Sequence, residues 1–412
     1  MGGSKGKDNW TVKTKKNSYW GRLPGWKNSF GSRLAWVFIL VITLVAILGP
    51  FIANEKPWYC RLDGKSYFPV ISGIEESTLS SNHPSHSPVS WYNTKFESIW
   101  YAPVPYSYYT IDSKAGSLLS PLDGEDQRVR FKHWLGTDLA ARDVLSGMIR
   151  GCRISLLIGL GSMLLALLIG VPLGSLAAYW GNKDWKVSWF QIIAAFIFIM
   201  IVIYVWWMPV SFIVKAITLL VLIAISLALN HFTAMMKPGK IQVPVDQLVM
   251  SVISIIDSFP GLFIILILLV IIPAKGWVIV MSVIALLRWP VIARYMRAEV
   301  FKIKESNYIK AVQVLNLPHS YIIRQHIVPY AFRPVMISFI FGIASAILAE
   351  SSLSFLGIGL PAEELNWGRL LSQARNHFDA WWLVLFPGAA IFFTLLSLYT
   401  IGNALQKKVE TR

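Results

Sequence analysis

Only two cysteines, Cys60 and Cys152, occur among the 412 residues. Two thiols are too few for a disulfide-stabilised scaffold or a four-cysteine zinc site. Charge is also scarce, since 15% of the residues are charged, against about 25% in soluble domains. By contrast, 55% of the residues are hydrophobic. One globular core cannot bury such an excess, so the composition predicts an integral membrane protein.

Catalytic and metal-binding motifs are missing as well. The seven histidines include no H-E-x-x-H sequence, and His83 and His86 have no clear third ligand nearby. The nearest approach to a phosphate loop is GKS at residues 64–66, but Tyr59 stands where that motif requires its first glycine. We therefore expect no catalytic residue, no metal and no cofactor in this chain.

Acids are few, with 22 against 38 basic residues, and the net charge is +16. Such a balance in a soluble chain suggests nucleic acid as a partner. Here the long apolar runs favour a membrane protein, whose basic segments stay in the cytoplasm, and we expect no nucleic-acid partner. Residues 1–34 hold eight basic residues and one acid, whereas residues 54–150 hold ten and eleven. This predicts a cytoplasmic segment at 1–34 and a large external loop domain at 54–150, irregular but ordered, with one or two strands.

Eight predominantly apolar runs have roughly the length needed to cross about 30 Å of hydrocarbon as helices. They are residues 35–53, 154–179, 189–207, 210–230, 248–272, 276–292, 335–350 and 382–404. With eight crossings, both termini and every strongly basic segment lie on the cytoplasmic side. An odd number of crossings would place the two termini on opposite sides. The sequence therefore predicts an all-α, multi-pass protein of the lipid bilayer with both termini in the cytoplasm.

Four glycines in the second run, at positions 159, 161, 170 and 174, predict a helix face that another helix can approach closely. The partner helix could belong to another subunit or to this chain, and the sequence leaves both readings open.

The basic segment at about 294–333 contains a stretch, Glu299–Leu315, that is too charged to span a membrane. Its apolar residues recur at helical intervals: Val300, Tyr308, Ala311, Val312 and Leu315. Asn316 suits the left-handed end of a helix, and Pro318 cannot continue one. We predict a helix, a sharp stop and a second helix, forming either a lid on the chain's own spans or a contact for another protein.

Residues 308–316 (YIKAVQVLN), followed by HIVP at 326–329, resemble the EAA coupling loop of binding-protein-dependent ABC importer permeases. That loop runs Tyr-x-x-Ala-Ala-x-x-x-Gly, so Val312 replaces the second Ala and Asn316 the Gly. Further matches follow the family's order and resemble most the second, C-type permease of oligopeptide, dipeptide and nickel importers. They are HWLGTDLAARDVLS at 133–146, where the family usually has Gly at Ala141, DSFP at 257–260 and SLSFLGIG at 352–359.

The resemblance implies a type I ABC importer permease fold in a bacterial inner membrane. It also implies a second permease subunit, two ATPase subunits that bind ATP and Mg, and an external substrate-binding protein that delivers peptides or similar small solutes. Family members have six spans, and segments that are almost adjacent in them stand about 60 residues apart here. We therefore predict a permease core at 151–412 with a transmembrane hairpin inserted at about 184–243, which gives eight spans in all.

The resemblance places the contact with the ATPase in the coupling loop at about 294–333. The expected contact residues are Glu305, Tyr308, Lys310, Ala311, Asn316, Pro318 and Arg324. For each charged member, a solvated charge near anionic lipid is the alternative.

Ionisable residues nearest to membrane depth are Asp257, Arg288 and Glu350. A charge inside the bilayer is costly and indicates a function, unless the residue lies at the end of a span. The expected pathway-lining residues are Asp257, Phe259, Pro260, Trp289 and Glu350. Helix kinks without a role in transport are the alternative for the two proline-containing segments.

Sidedness alone suggests a disulfide. Cys60 follows the first predicted span and Cys152 precedes the second, so both thiols should meet the external compartment. The alternative is that each cysteine serves as a small apolar residue near a span.

Two other functions are weighed against the importer. An ion-coupled secondary transporter would be expected to carry acids in mid-span and repeated halves, and neither is evident in the sequence. A membrane-embedded enzyme would need a catalytic constellation, which the spans lack.

Overall fold

The structure is a computed structural model, and it is predominantly helical. It describes residues 30–75, 91, 94, 96–122, 131–182, 186–188, 198, 200, 217–218, 220–222, 225, 240–272, 276–315 and 317–410.

Helices and strands are numbered in chain order among these residues. The helices are α1 (Phe30–Ile52), α2 (Pro69–Ser72), α3 (Val144–Trp180), α4 (Val245–Asp257), α5 (Gly261–Ile271), α6 (Trp277–Lys304), α7 (Asn307–Val314), α8 (His319–Tyr321), a π-helix (Ile322–Ile327), α9 (Val328–Phe355), α10 (Trp367–Gln373), a 3₁₀-helix (Ala374–Asn376) and α11 (Trp382–Glu410). The strands are β1 (Tyr59–Leu62), β2 (Lys65–Tyr67), β3 (Ser98–Trp100), β4 (Lys186–Ser188) and β5 (Lys240–Gln242).

Among the described residues, five helical segments are long and apolar enough to cross a membrane, or six if α4 and α5 form one bent span. These six correspond to the predicted core. The hairpin predicted at 189–207 and 210–230 lies almost entirely outside the described residues, so the total of eight stays a prediction. The strands that flank the insertion, β4 and β5, pair in antiparallel register, which places the two ends of the insertion side by side.

The predicted continuous span at 248–272 is wrong, because α4 and α5 meet at an angle of 83°. The break falls at Ser258–Pro260, where Pro260 supplies no backbone N–H to continue the helical hydrogen bonds. Phe259 is therefore left exposed at the bend.

Several helices extend beyond the predicted spans. Helix α3 begins at Val144, where the Asp143 side chain caps it by accepting from the Ser146 N–H, so its first turns lie within the loop region predicted at 54–150. Helix α6 continues to Lys304, well past the predicted start of the cytoplasmic segment at 294. Charge marks where the bilayer ends, but a helix satisfies its own backbone and can continue into water.

Helices α3 and α6 form the most extensive helix pair. A Cβ at Gly170 would lie 2.8 Å from the Trp289 carbonyl oxygen, and one at Gly174 would lie 2.4 Å from the Ala293 carbonyl oxygen. Only glycine permits this backbone approach.

A Cβ at Gly159 would meet the Ile347 side chain of α9, and one at Gly161 would meet the Met281 side chain of α6. All four glycines therefore serve packing within the chain.

The region predicted to be external, called the external region below, contains a three-stranded sheet in the order β2-β1-β3, one strand more than the sequence predicts. Cys60, Leu62 and Trp91 form its small core. The disulfide prediction is wrong, because Cys60 and Cys152 are both free and buried. Cys152 packs instead with α1 and with Trp367, since sidedness fixes the compartment of a thiol but not its neighbours. Burial raises the pKa of the Cys60 thiol to about 11.

The segment between the sheet and α3 holds the outer helix ends together. His133 Nδ1 lies 2.8 Å from the Asp143 carboxylate, and Trp382 Nε1 donates to the Thr137 carbonyl oxygen at 3.1 Å. Ala141 adopts a positive φ of 57°, a conformation that glycine reaches with less strain. This positive φ explains why glycine is usual at this position in the resembling family.

Candidate functional site

The segment that follows α6 forms a helical elbow at residues 305–318, here called the inner elbow after the side of the membrane that its charge predicts. Glu305 ends α6, and the Ser306 side chain caps α7 by accepting from the Ile309 N–H. The single helix expected over Glu299–Leu315 is therefore two helices, because the Ser306 cap starts a new helix.

Two apolar side chains dock α7 on the helical bundle. Ile309 and Val312 are buried in the large core cluster that also contains Val300. The turn before α7 changes the direction of the helix, so the predicted apolar face is split. Of its five members, only Val300 and Val312 are buried.

The outward face of the inner elbow is apolar although the surrounding segment is basic. Tyr308 and Ala311 are exposed, and Val314 and Leu315 are 84% and 68% exposed. Apolar side chains gathered on such a surface mark a contact site for another protein. Of the two readings left open by the sequence, the contact surface fits this face better than a lid.

Hydrogen bonds that were not evident from sequence fasten the base of the elbow to α3. The Tyr179 hydroxyl lies 2.7 Å from His319 Nδ1, and Lys304 Nζ donates to the Tyr179 carbonyl oxygen at 2.5 Å. Across the elbow, the Tyr308 hydroxyl lies 2.6 Å from His326 Nδ1. A displacement of the elbow would thus be carried to α3, α6 and the helix leading into α9. The one feature of the sequence that could have indicated these hydrogen bonds is the position of Tyr179 at the end of an apolar run.

The predicted charged contacts are all on the surface. Lys310 Nζ lies 3.3 Å from the Glu305 carboxylate, an exposed ion pair that contributes little to stability. Arg324 is exposed in the π-helix, and Pro318 immediately precedes α8. Asn316 lies outside the described residues.

The structure does not bring the five predicted pathway residues together. Asp257, Phe259 and Pro260 are exposed at the bend between α4 and α5, and Asp257 pairs with Arg294 at 2.5 Å. Trp289 and Glu350 are instead buried among the chain's own helices.

Glu350 is the centre of a buried polar cluster, here called the Glu350 network. Its carboxylate accepts from Ser155 Oγ of α3 at 3.0 Å and from Ser351 Oγ at 3.3 Å. It also accepts from Ser354 Oγ at 3.0 Å and from Asn366 Nδ2 at 2.6 Å. A carboxylate away from water is tolerated only with such donors. The network therefore joins α3, α9 and the start of α10.

Helix α10 is wedged tightly beside this network. Its Trp367 is fully buried and donates to the Met148 carbonyl oxygen at 3.1 Å. A Cβ at Gly151 would lie 2.4 Å from the Trp367 ring, and one at Gly368 would lie 2.2 Å from the Ser351 carbonyl oxygen. The segment that links α9 to α11 thus closes the end of the bundle opposite the inner elbow, here called the outer end.

Residues 232–412 match the family model described as "Binding-protein-dependent transport system inner membrane component". This range contains the bend, the inner elbow and Glu350, which are the features that the motifs indicated.

Known proteins similar to the chain are transport permeases. The "Inner membrane ABC transporter permease protein YejE" of Escherichia coli is 25% identical over 376 residues, covering 90% of each chain. The "Peptidoglycan transport system permease protein YejE" of Agrobacterium fabrum is 25% identical over 418 residues, covering 94% of this chain and 92% of that protein. The "Oligopeptide transport system permease protein OppC" of Bacillus subtilis is 24% identical over 281 residues, covering 68% and 72%.

None of these relatives is named as a secondary transporter or as a membrane enzyme. Residues 232–412 are similar to the binding-protein-dependent transport permeases, and together with these relatives they identify a membrane permease subunit of an ABC importer, in which ATP hydrolysis takes place on partner subunits.

Proposed function

We propose that the chain is the C-type permease of a peptide importer and forms half of the translocation pathway with a second permease. Two ATPase subunits, which bind ATP and Mg, dock on its inner elbow, and an external binding protein delivers the substrate. The observation that carries this proposal is the exposed apolar face of the elbow, positioned by Ile309 and Val312 in the segment that resembles the EAA loop.

The substrate class is supported by the relatives. One of them transports oligopeptides by its name and another peptidoglycan, and peptide chemistry is common to both substrates. The two YejE proteins align with 90% and 94% of this chain, against 68% for OppC. Because the longer alignments cover more of this chain, peptides attached to cell-wall sugar belong in the substrate test beside free peptides.

The contacts at the elbow suggest how ATP hydrolysis is coupled to movement of the spans. Closure of the ATPases would displace α7, and the bonds of Lys304 and His319 to Tyr179 would carry that displacement to α3. The continuous helices α6 and α9 leave the elbow in the direction of the outer end. Asp257, Phe259 and Pro260, exposed at the bend, are our candidates for lining the pathway against the second permease.

The orientation follows from the charge distribution. The basic residues at 1–34 and around the elbow favour the cytoplasmic side, so we propose a bacterial inner membrane with both termini inside. The external sheet then faces the binding protein.

Replacing Ala311 with Asp tests the coupling role. The exposed side chain would be covered by the ATPase, and a carboxylate there would lose water without gaining a partner. We expect uptake of a labelled peptide and of a labelled cell-wall peptide fragment by the reconstituted importer to fall at least about tenfold.

Ala311→Ser is the matched control, because it remains small and should retain most of the uptake. Normal uptake and ATPase association with Ala311→Asp would contradict the coupling role. If deletion of the subunit reduced the uptake of neither labelled compound, the proposed substrate class would be contradicted.

A further inference from the structure

A cavity of about 310 Å³ lies where the outer ends of α1 and α3 meet the external region. Gly49 and Pro50 of α1, Ile149 of α3, and Pro69 and Gly73 beside α2 are part of its lining. A Cβ at Gly49 would lie 3.1 Å from Ile149 Cγ2, so the two helices touch at this level. The cavity is therefore enclosed by two spans on one side and by the external region on the other.

The charge of the cavity lining is positive. Lys56, Arg150 and Arg153 line the cavity, and no carboxylate does so among the described lining residues. Arg150 is neutralised by Glu364, whose oxygens lie 3.0 and 3.2 Å from its guanidinium nitrogens, and it stacks over the Tyr108 ring at 4.5 Å. The side chains of Lys56 and Arg153 have no hydrogen bond or ion pair with any described residue.

Glu55, the acid next to Lys56 in sequence, is hydrogen-bonded to other side chains. It accepts from the Tyr109 hydroxyl at 2.9 Å and from the Thr110 hydroxyl at 2.6 Å. It does not line the cavity. Two cations are thus left facing a space that an anion can enter.

The depth of the cavity corresponds to the lipid headgroups. Arg153 is exposed on α3 one helical turn further into the span than Ile149, and an arginine there reaches outward to place its charge among phosphates. Phe68 and Ile71, at and within α2, are 50% and 75% exposed. Trp58 is bound to the end of α1 through a 2.7 Å hydrogen bond to the Phe51 carbonyl oxygen. Aromatic side chains of this kind are enriched at the membrane interface.

Exposed apolar side chains flank the cavity at α2, where Phe68 and Ile71 lie next to the lining residues Pro69 and Val70. The exposed Leu44, Ile47 and Leu48 of α1 lie on a different face of that helix from the lining residues. A ligand that combines an anionic head with a hydrocarbon tail would match both the cations and the apolar side chains of α2, whereas a free ion would match only the cations.

We propose that this cavity binds the phosphate-bearing headgroup of an anionic phospholipid of the outer leaflet, held by Lys56 and Arg153, with its acyl chains beside the exposed apolar side chains of α2. The lipid fastens the external region to the first span. This assignment is independent of the transported substrate.

The test measures lipid retained by the purified full-length subunit in its importer complex, using native mass spectrometry after exchange into phosphatidylglycerol or phosphatidylcholine. We expect preferential retention of phosphatidylglycerol, reduced about fivefold by each of Lys56→Gln and Arg153→Gln. Arg153→Lys should retain the lipid. Lys65→Gln, which removes an exposed lysine of β2 in the same region, should have no effect.

Equal retention of the two lipids, or no loss in the Lys56→Gln/Arg153→Gln double variant, would overturn the proposal. Displacement of phosphatidylglycerol by millimolar inorganic phosphate would assign the site to a free anion and would also overturn it. A thermal unfolding profile close to that of the unchanged complex verifies that each variant is folded.

Discussion

The two ends of the bundle are held by different kinds of interaction. At the outer end, the Glu350 network and the wedged helix α10 join three elements through buried hydrogen bonds. At the inner end, α7 is docked by two buried side chains and leaves Val314 and Leu315 exposed. The outer end pairs the buried Glu350 carboxylate within the chain, whereas the inner end leaves apolar surface for a partner.

This difference indicates where movement and stability reside. Buried polar groups are costly to separate from one another, so α3, α9 and α10 should move as one unit at the outer end. The inner elbow has few such bonds and should be displaced by a partner at lower cost. Force applied at the elbow would therefore rock the helices about a rigid outer end.

Glu350→Ala should have the largest effect, because it removes the acceptor shared by Ser155, Ser354 and Asn366. Leaving these buried donors unpaired should lower the free energy of unfolding by on the order of 3 kcal/mol. Thermal unfolding of the detergent-purified complex measures the loss. Glu350→Gln retains one acceptor and the shape of the side chain, so its loss should be smaller. Equal melting temperatures for the unchanged protein and Glu350→Ala would remove the basis for a rigid outer end.

Ile309→Ala should loosen only the inner end. It leaves a cavity beneath α7 and should cost about 2–4 kcal/mol of local docking energy. Hydrogen exchange in residues 305–315 should accelerate, while exchange in α10 stays unchanged. Ala311→Ser, an exposed change on the same helix, serves as the control. Uniform acceleration at both ends would show that Ile309 does not stabilise the inner end locally.

Ala141→Gly should have the smallest effect, and in the opposite direction. Alanine at a φ of 57° carries strain of about 1 kcal/mol, which glycine relieves. The melting temperature should rise slightly without a change in transport. The flanking Ala140→Gly is the control and should not stabilise. A lower melting temperature for Ala141→Gly would show that the positive φ is not strained.

The sequence predicted the helical class, the apolar runs that form five long helices and one bent pair, and the position of the elbow, because charge and the length of apolar runs are local properties. It located the ends of α3 and α6 poorly, since a helix can continue beyond the membrane into water. It also missed the partners of Glu350. Ser155 is 195 positions away from Glu350, and no local pattern encodes that contact. The cysteines illustrate the same limit, because their compartment was deducible and their neighbours were not.

Site-specific photo-crosslinking in the intact importer tests the central claim most directly. A photoreactive amino acid placed at residue 311 should form an adduct with the ATPase subunit, whereas the same group at residue 71, exposed on the external helix α2, should form none. Adducts only with lipid at residue 311, or an ATPase adduct at residue 71, would contradict the assignment of the inner elbow as the ATPase contact.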